Sequence, residues 1–261
     1  MSTDSMLQVA QFPCLSDNYG YLIHDPETKT TAAVDTPEGK PIEDELAKQG
    51  WKLTHILNTH HHYDHTGANL QLSKGRDLAI CGPEAEKIPG RTIAVKGGDE
   101  FNFGSQKVIV IDVGGHTLGH IAYYFPDSKK VFVGDALFTL GCGRMFEGTP
   151  EQFWASLCRL RDLPDDTEVY CAHEYTEANA RFALSVEPGN EALQNKVKRI
   201  KDFRAMGLPT VPTTIKEEKE CNPFLRCDVS EEIRKNVGVQ PGDSEPEAFA
   251  KVRKAKDNFR G

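Results

Sequence analysis

The chain has 261 residues, enough for one large domain or a medium domain followed by a smaller one. Apolar residues make up 38% of it, which argues against intrinsic disorder, and no apolar run approaches the ~20 residues needed to span a bilayer. A net charge of −8 gives no general cationic face for nucleic acid or an anionic membrane, so neither is an expected partner.

The seven cysteines are odd in number, scattered, and never paired as C-x-x-C. That pattern predicts reduced thiols rather than a disulfide framework or a thiolate zinc site. The opening Met1-Ser2-Thr3-Asp4 lacks a basic start followed by an apolar stretch, which gives the expectation of a cytoplasmic protein, with a mitochondrial location as the alternative.

Taken in chain order, short β-rich segments at 7–12, 19–24 and 32–35 precede a predicted helix over 41–49 and an apolar strand at 55–58. Strands are predicted at 93–95, 107–113, 121–125 and 131–133, separated by Gly-Gly, Pro-Gly and Pro-Asp-Ser turns. A helix over 150–161, with Pro150 suited to its first turn, is followed by a strand at 168–171. Beyond His173 strand alternation stops, and helix-like spacing occupies 175–185, 190–206, 230–236 and 245–259. The predicted organisation is a mixed α/β domain over 1–173 and a helical domain over 174–261.

The stretch with the most chemistry is Thr59-His60-His61-His62-Tyr63-Asp64-His65, directly after an apolar strand. Residues two apart in an extended chain share a face, so His60 and His62 can offer two imidazoles to one ion. A turn after Tyr63 can swing Asp64 and His65 towards a second. Further donors stand at predicted strand ends: His116 after two glycines, Asp135 after Val133-Gly134, and His173 after Ala172. Five imidazoles and two carboxylates without thiolate suit Zn²⁺, Fe or Mn²⁺, and a carboxylate such as Asp135 could bridge two ions. His61 is expected to point away from the ions, His24 and His55 to be structural, and His120 to support the site without being a ligand. Cys142 has no base paired with it and is read as a structural loop residue.

The H-x-H-x-D-H stretch with His116, Asp135 and His173 resembles the metallo-β-lactamase superfamily. Phe132–Gly148, His173-Glu174-Tyr175, Asn222-Pro223-Phe224-Leu225-Arg226 and Arg253-Lys254-Ala255-Lys256-Asp257 narrow the likeness to the hydroxyacylglutathione hydrolase (glyoxalase II) family, along the whole chain. The resemblance implies an αββα sandwich followed by a smaller all-helical C-terminal domain. It implies that His60, His62 and His116 hold a first metal and Asp64, His65 and His173 a second, with Asp135 bridging and Zn the foremost choice of metal. It also implies that Arg144, Phe146, Tyr175, Arg253 and Lys256 face glutathione, although Phe146 stands where some members have Tyr. Arg253 and Lys256, three apart on a predicted helix, lie on one face.

The reaction so implied is hydrolysis of 2-hydroxyacyl glutathione thioesters, chiefly S-D-lactoylglutathione to D-lactate and glutathione, in the second step of methylglyoxal detoxification. A hydroxide bridging the two ions would attack the carbonyl, with Asp64 and Asp135 holding the catalytic metals. A thiolate leaving group, of parent pKa ~8.5, departs without a proton, so no separate general acid is required. The expected form is a monomer. The main alternative is a glutathione persulfide dioxygenase using one iron; the second ligand set and the helical 174–261 segment weigh against it.

Overall fold

A computed structural model of the protein describes residues 6–261, which divide into two compact units. The first comprises the chain up to Asp112 together with Thr117–Gly134, and the second comprises Val113–His116 together with Asp135–Gly261.

The first unit begins with strands β1 (Gln8–Cys14), β2 (Asn18–Asp25) and β3 (Thr30–Val34), helix α1 (Gly39–Gln49) and strand β4 (His55–Leu57). The short helices α2 (Tyr63–Thr66) and α3 (Asn69–Ser73) lead to β5 (Ala79–Pro83) and β6 (Ile93–Val95). These six strands form one sheet in sequence order, antiparallel through β3 and parallel from β3 onward. Strands β7 (Glu100–Phe103), β8 (Gln106–Asp112), β9 (Ile121–Phe125) and β10 (Lys130–Gly134) follow as an antiparallel meander.

Side chains alternate across each strand, so each sheet presents two apolar faces. One face of the first sheet, including Phe12, Leu22, Ala33, Ile56 and Ile80, packs with Ile42 and Leu46 of α1 and Leu72 of α3 in a single core. The other meets the meander: Tyr21 lies edge-on to Phe132 at 5.7 Å, His55 edge-on to Phe103 at 5.4 Å, and the buried Tyr123 hydroxyl donates to the carbonyl of Asn58. Because the parallel strands are enclosed on both sides, their loops open at one edge, as the βαβ arrangement dictates. Asp35 and Asn58–His62 lie on those loops.

The second unit holds the small hairpin β11 (Leu137–Phe138) and β12 (Gly141–Cys142), helix α4 (Pro150–Arg161), and β13 (Glu168–Cys171). Helices α5 (Thr176–Val186) and α6 (Glu191–Ala205) precede β14 (Thr213–Thr214), which pairs antiparallel with β13. Helices α7 (Ile215–Cys221), α8 (Pro223–Arg226), α9 (Glu231–Asn236) and α10 (Glu245–Asn258) complete it. Side-chain caps start most of these helices: Thr149 caps α4 with Pro150 in its first turn, Asn190 caps α6, and Ser244 and Glu247 form a reciprocal capping box on α10.

The compact units divide the chain at places other than residue 173, and the packing of α4 gives the reason. Phe153 packs on Phe249 of α10, Trp154 Nε1 donates to Glu245, and Arg161 pairs with Asp228. The Val113–His116 segment joins the same unit because the Ser156 hydroxyl donates to the Gly114 carbonyl and Gly115 lies flat against Phe153. Helix α7 and strand β14 were not expected from the sequence. Their basis is a buried polar centre: Glu218 accepts from Lys196 Nζ at 2.7 Å, from Thr213, from the Leu140 amide and from Asn222. All seven cysteines are free thiols, and no helix among the described residues is long and apolar enough to cross a membrane.

Candidate metal centre

The potential ligands of the first unit lie on the loop after β4 and on α2. His60 is fully buried, and its Nε2 stands 3.1 Å from His62 Nδ1, so the two alternate residues do present their rings to one point. The ring orientations follow from hydrogen bonding. Asp35, at the end of β3 with a left-handed φ of 58°, accepts from the Thr59 amide, the Thr59 hydroxyl and His65 Nδ1, each at 2.8 Å. A carboxylate only accepts, so His65 carries a proton on Nδ1, and its Nε2 stands 3.4 Å from Asp64 Oδ2. The Thr59 hydroxyl gives its single proton to Asp35 and therefore accepts at 3.0 Å from His60 Nδ1, leaving the His60 Nε2 lone pair facing His62. Asn18 donates at 3.0 Å to that same oxygen, Asp64 Oδ2.

The second unit repeats this logic with His116, Asp135 and His173. The His116 Nδ1 donates to the Arg144 carbonyl at 2.8 Å, and its Nε2 stands 3.3 Å from Asp135 Oδ2. His173 Nε2 lies 3.3 Å from Asp135 Oδ1, and its ring stacks on Tyr175 with centroids 4.7 Å apart. The turn that presents the Arg144 carbonyl depends on Gly143, where a Cβ would collide with the carbonyl of Asp135.

In each unit, imidazole nitrogens stand 3.3–3.4 Å from carboxylate oxygens, an arrangement that a proton or a cation between the two atoms stabilises. The donors of each unit, His60, His62, Asp64 and His65 in the first and His116, Asp135 and His173 in the second, include no thiolate and suit divalent ions such as zinc, iron or manganese. Hydrogen bonds on the outer nitrogens are the ordinary way in which proteins orient metal-binding histidines.

The other histidines take supporting places. His61 pairs with Glu86 while its ring stays 5.0 Å from that of His62, His24 bonds Thr31 and stacks on Trp51, His55 bonds Thr54, and His120 is buried with its ring stacked on His60 at 4.4 Å. Asp35 and Glu86, not singled out in the sequence, carry the orienting bonds; a carboxylate 24 or 30 residues from its partner leaves no local signal.

Among the residues expected to face glutathione, Arg144 and Phe146 are exposed, with the Phe146 ring 5.2 Å from that of His116, and Tyr175 is partly exposed. Lys256 is half-buried. Burial is the largest influence lowering its ammonium from the usual range, and the positive charges of Arg253, Arg181 and Arg144 push the same way. Arg253 is buried, donating to the carbonyls of Cys142 and Gly143 and pairing with Asp257 at 2.8 Å.

Burial pushes the Cys142 thiol up to about 11, with Arg253 pulling the other way. A thiol so placed is no nucleophile. Iodoacetamide near neutral pH is expected to leave Cys142 unmodified in the folded protein and to label it after denaturation; rapid labelling of the folded protein would contradict that assignment.

Comparison with known proteins places these features in a family. Residues 21–173 match the metallo-beta-lactamase superfamily and residues 174–259 match the hydroxyacylglutathione hydrolase C-terminus. The chain is 50% identical over 258 residues to the hydroxyacylglutathione hydrolase of Methylococcus capsulatus, covering 98% of this chain and 100% of that protein. It is 51% identical over 257 residues to that of Maricaulis maris, with the same coverage. Among solved structures, ETHE1 from Myxococcus xanthus superposes with a TM-score of 0.66 at 28% identity, over 95% of this chain and 97% of that one. The chain therefore belongs to the hydroxyacylglutathione hydrolase family of the metallo-β-lactamase superfamily.

Proposed function

We propose that the chain hydrolyses 2-hydroxyacyl thioesters of glutathione, S-D-lactoylglutathione foremost, to the hydroxy acid and free glutathione. Near full-length identity of about half to proteins named for that activity supports the reading, and favours it over a persulfide dioxygenase. The single structural observation that carries it is the set of imidazole nitrogens held 3.3–3.4 Å from the carboxylates of Asp64 and Asp135. In this reading His60, His62 and His116 hold one ion, Asp64, His65 and His173 hold a second, and Asp135 bridges them, with zinc the first choice of metal. Residues 1–173 form the catalytic domain, residues 174–261 contribute to glutathione binding, and the protein acts as a cytoplasmic monomer.

When bound, two divalent ions in such a donor set supply Lewis acidity and acidify a water towards pKa ~7. The chain's own residues do the rest. Arg144 and Lys256, with Arg181 nearby, form a local cationic field in a chain of net charge −8, suited to the carboxylates of an anionic tripeptide. An anion docked there would relieve the like-charge repulsion that lowers the Lys256 ammonium. Tyr175 and Phe146 offer aromatic faces beside His173 and His116, placing the thioester end of the substrate next to the ligands. Because the leaving group is a thiolate, with a parent pKa of ~8.5, no residue need act as general acid. Arg253 contributes from behind: its bonds to the carbonyls of Cys142 and Gly143 fix the loop that carries Arg144 and Phe146.

Purified protein is expected to hydrolyse S-D-lactoylglutathione, to lose that activity on chelation and to regain it with added zinc, iron or manganese. Hydrolysis unaffected by exhaustive chelation, or none with metal restored, would contradict the reading. In a steady-state comparison, Arg253→Ala is expected to raise KM about tenfold or more, because the loop carrying Arg144 and Phe146 loosens, and to lower kcat as well, because the Arg144 carbonyl on that loop orients His116. A collapsed kcat at unchanged KM would assign Arg253 a different role.

A further inference from the structure

Glu86 sits on the turn after β5, and none of the glutathione or metal contacts above involves it. Its side chain is buried, yet both oxygens are engaged. Oε2 accepts from the His61 backbone amide at 2.6 Å and stands 2.9 Å from His61 Nδ1, while Oε1 accepts from the Thr117 hydroxyl at 2.5 Å and the Gly119 amide at 3.0 Å. One carboxylate thus joins the segment that carries His60, His62, Asp64 and His65 to the residues directly after His116.

The turn holding Glu86 is itself fixed, because the Arg91 guanidinium donates to the carbonyls of Pro83, Glu84 and Glu86. Gly119 lies close beneath the side chain: a Cβ there would approach Glu86 Cγ to 2.7 Å. This is a fitted arrangement on a rigid support, the condition under which a residue behind a site can set its geometry.

The consequence for the ligands is specific. His61 is held by Glu86 at both its amide and its ring, which fixes the backbone between His60 and His62. His60 and His62 accordingly converge, with Nε2 and Nδ1 3.1 Å apart. We propose that Glu86 is a positioning residue for metal binding, setting the convergence of His60 and His62 through His61 and the course of the chain beyond His116 through Thr117 and Gly119. The inference rests on the metal-ligand reading of those histidines.

Glutamine at position 86 would keep the shape but exchange one acceptor oxygen for an NH2 group facing N–H and O–H donors. Metal-depleted wild type, Glu86→Gln and Thr117→Val, which removes one of the four donors, are to be titrated with Zn²⁺ against a competing chelator. Cobalt spectra would report ligand geometry and thermal melts would report folding. Glu84→Gln, altering an exposed neighbour paired with Lys96 at 3.6 Å, is the control. The expected result is that Glu86→Gln weakens affinity about 10–100-fold and alters the cobalt spectrum, Thr117→Val does so by less, and Glu84→Gln matches wild type. Wild-type affinity and spectrum in Glu86→Gln would overturn the proposal; should that variant fail to fold, the same result in Thr117→Val would do so. If wild type itself bound no zinc, the ligand reading would fail instead.

Discussion

Everything distinctive about this chain depends on how its imidazoles are protonated. A neutral histidine has one N–H and one lone pair, and whichever nitrogen is given a good acceptor becomes the donor. Asp35 takes the Nδ1 proton of His65, the Thr59 hydroxyl that of His60, and the Arg144 carbonyl that of His116. In each case Nε2 is the nitrogen left to turn the other way, and at His65 and His116 it stands 3.4 and 3.3 Å from a carboxylate oxygen. A divalent cation at such a pair would engage both partners. The fold expends buried hydrogen bonds to maintain the arrangement, which is the usual cost of a preorganised site.

The scaffold meets that requirement in two ways. In the first unit the candidate ligands leave the edge of an enclosed parallel sheet, where the ends of β3 and β4 bring Asp35 beside Thr59. The left-handed conformation of Asp35 is a strained placement for a residue with a side chain, and its three hydrogen bonds stabilise it. In the second unit the equivalent support is a chain of contacts running from α10 to the hairpin: Arg253 holds the Cys142 and Gly143 carbonyls, and the next carbonyl, of Arg144, orients His116. Glu218 braces the same hairpin at Leu140. The helical residues after His173 are therefore bound up with the geometry of a ligand.

What could be read in the sequence follows from range. Strand and helix positions with clear periodicity were legible, among them β9, β6, α4 and α10, and the H-x-H-x-D-H spacing announced a metal site because its ligands are neighbours in the chain. Helix α7 was illegible: Ile215–Cys221 is mostly charged, and it is held by Glu218 meeting Lys196 and Leu140 from distant segments. The orienting roles of Asp35 and Glu86 were hidden for the same reason. Arg253 is the instructive intermediate: the sequence put it on one helix face with Lys256, which the 14-residue helix α10 bears out, but burial commits its guanidinium to backbone carbonyls as well. Its long-range partners are visible only once the hairpin is folded.

The central claim is that these imidazoles and carboxylates form a two-ion site. Calorimetric titration of the metal-depleted chain with Zn²⁺, checked by elemental analysis of the reloaded protein, tests it most directly. The account predicts two ions per chain, falling in Asp135→Ala. A wild-type chain that saturates at one ion, or binds none, would contradict it.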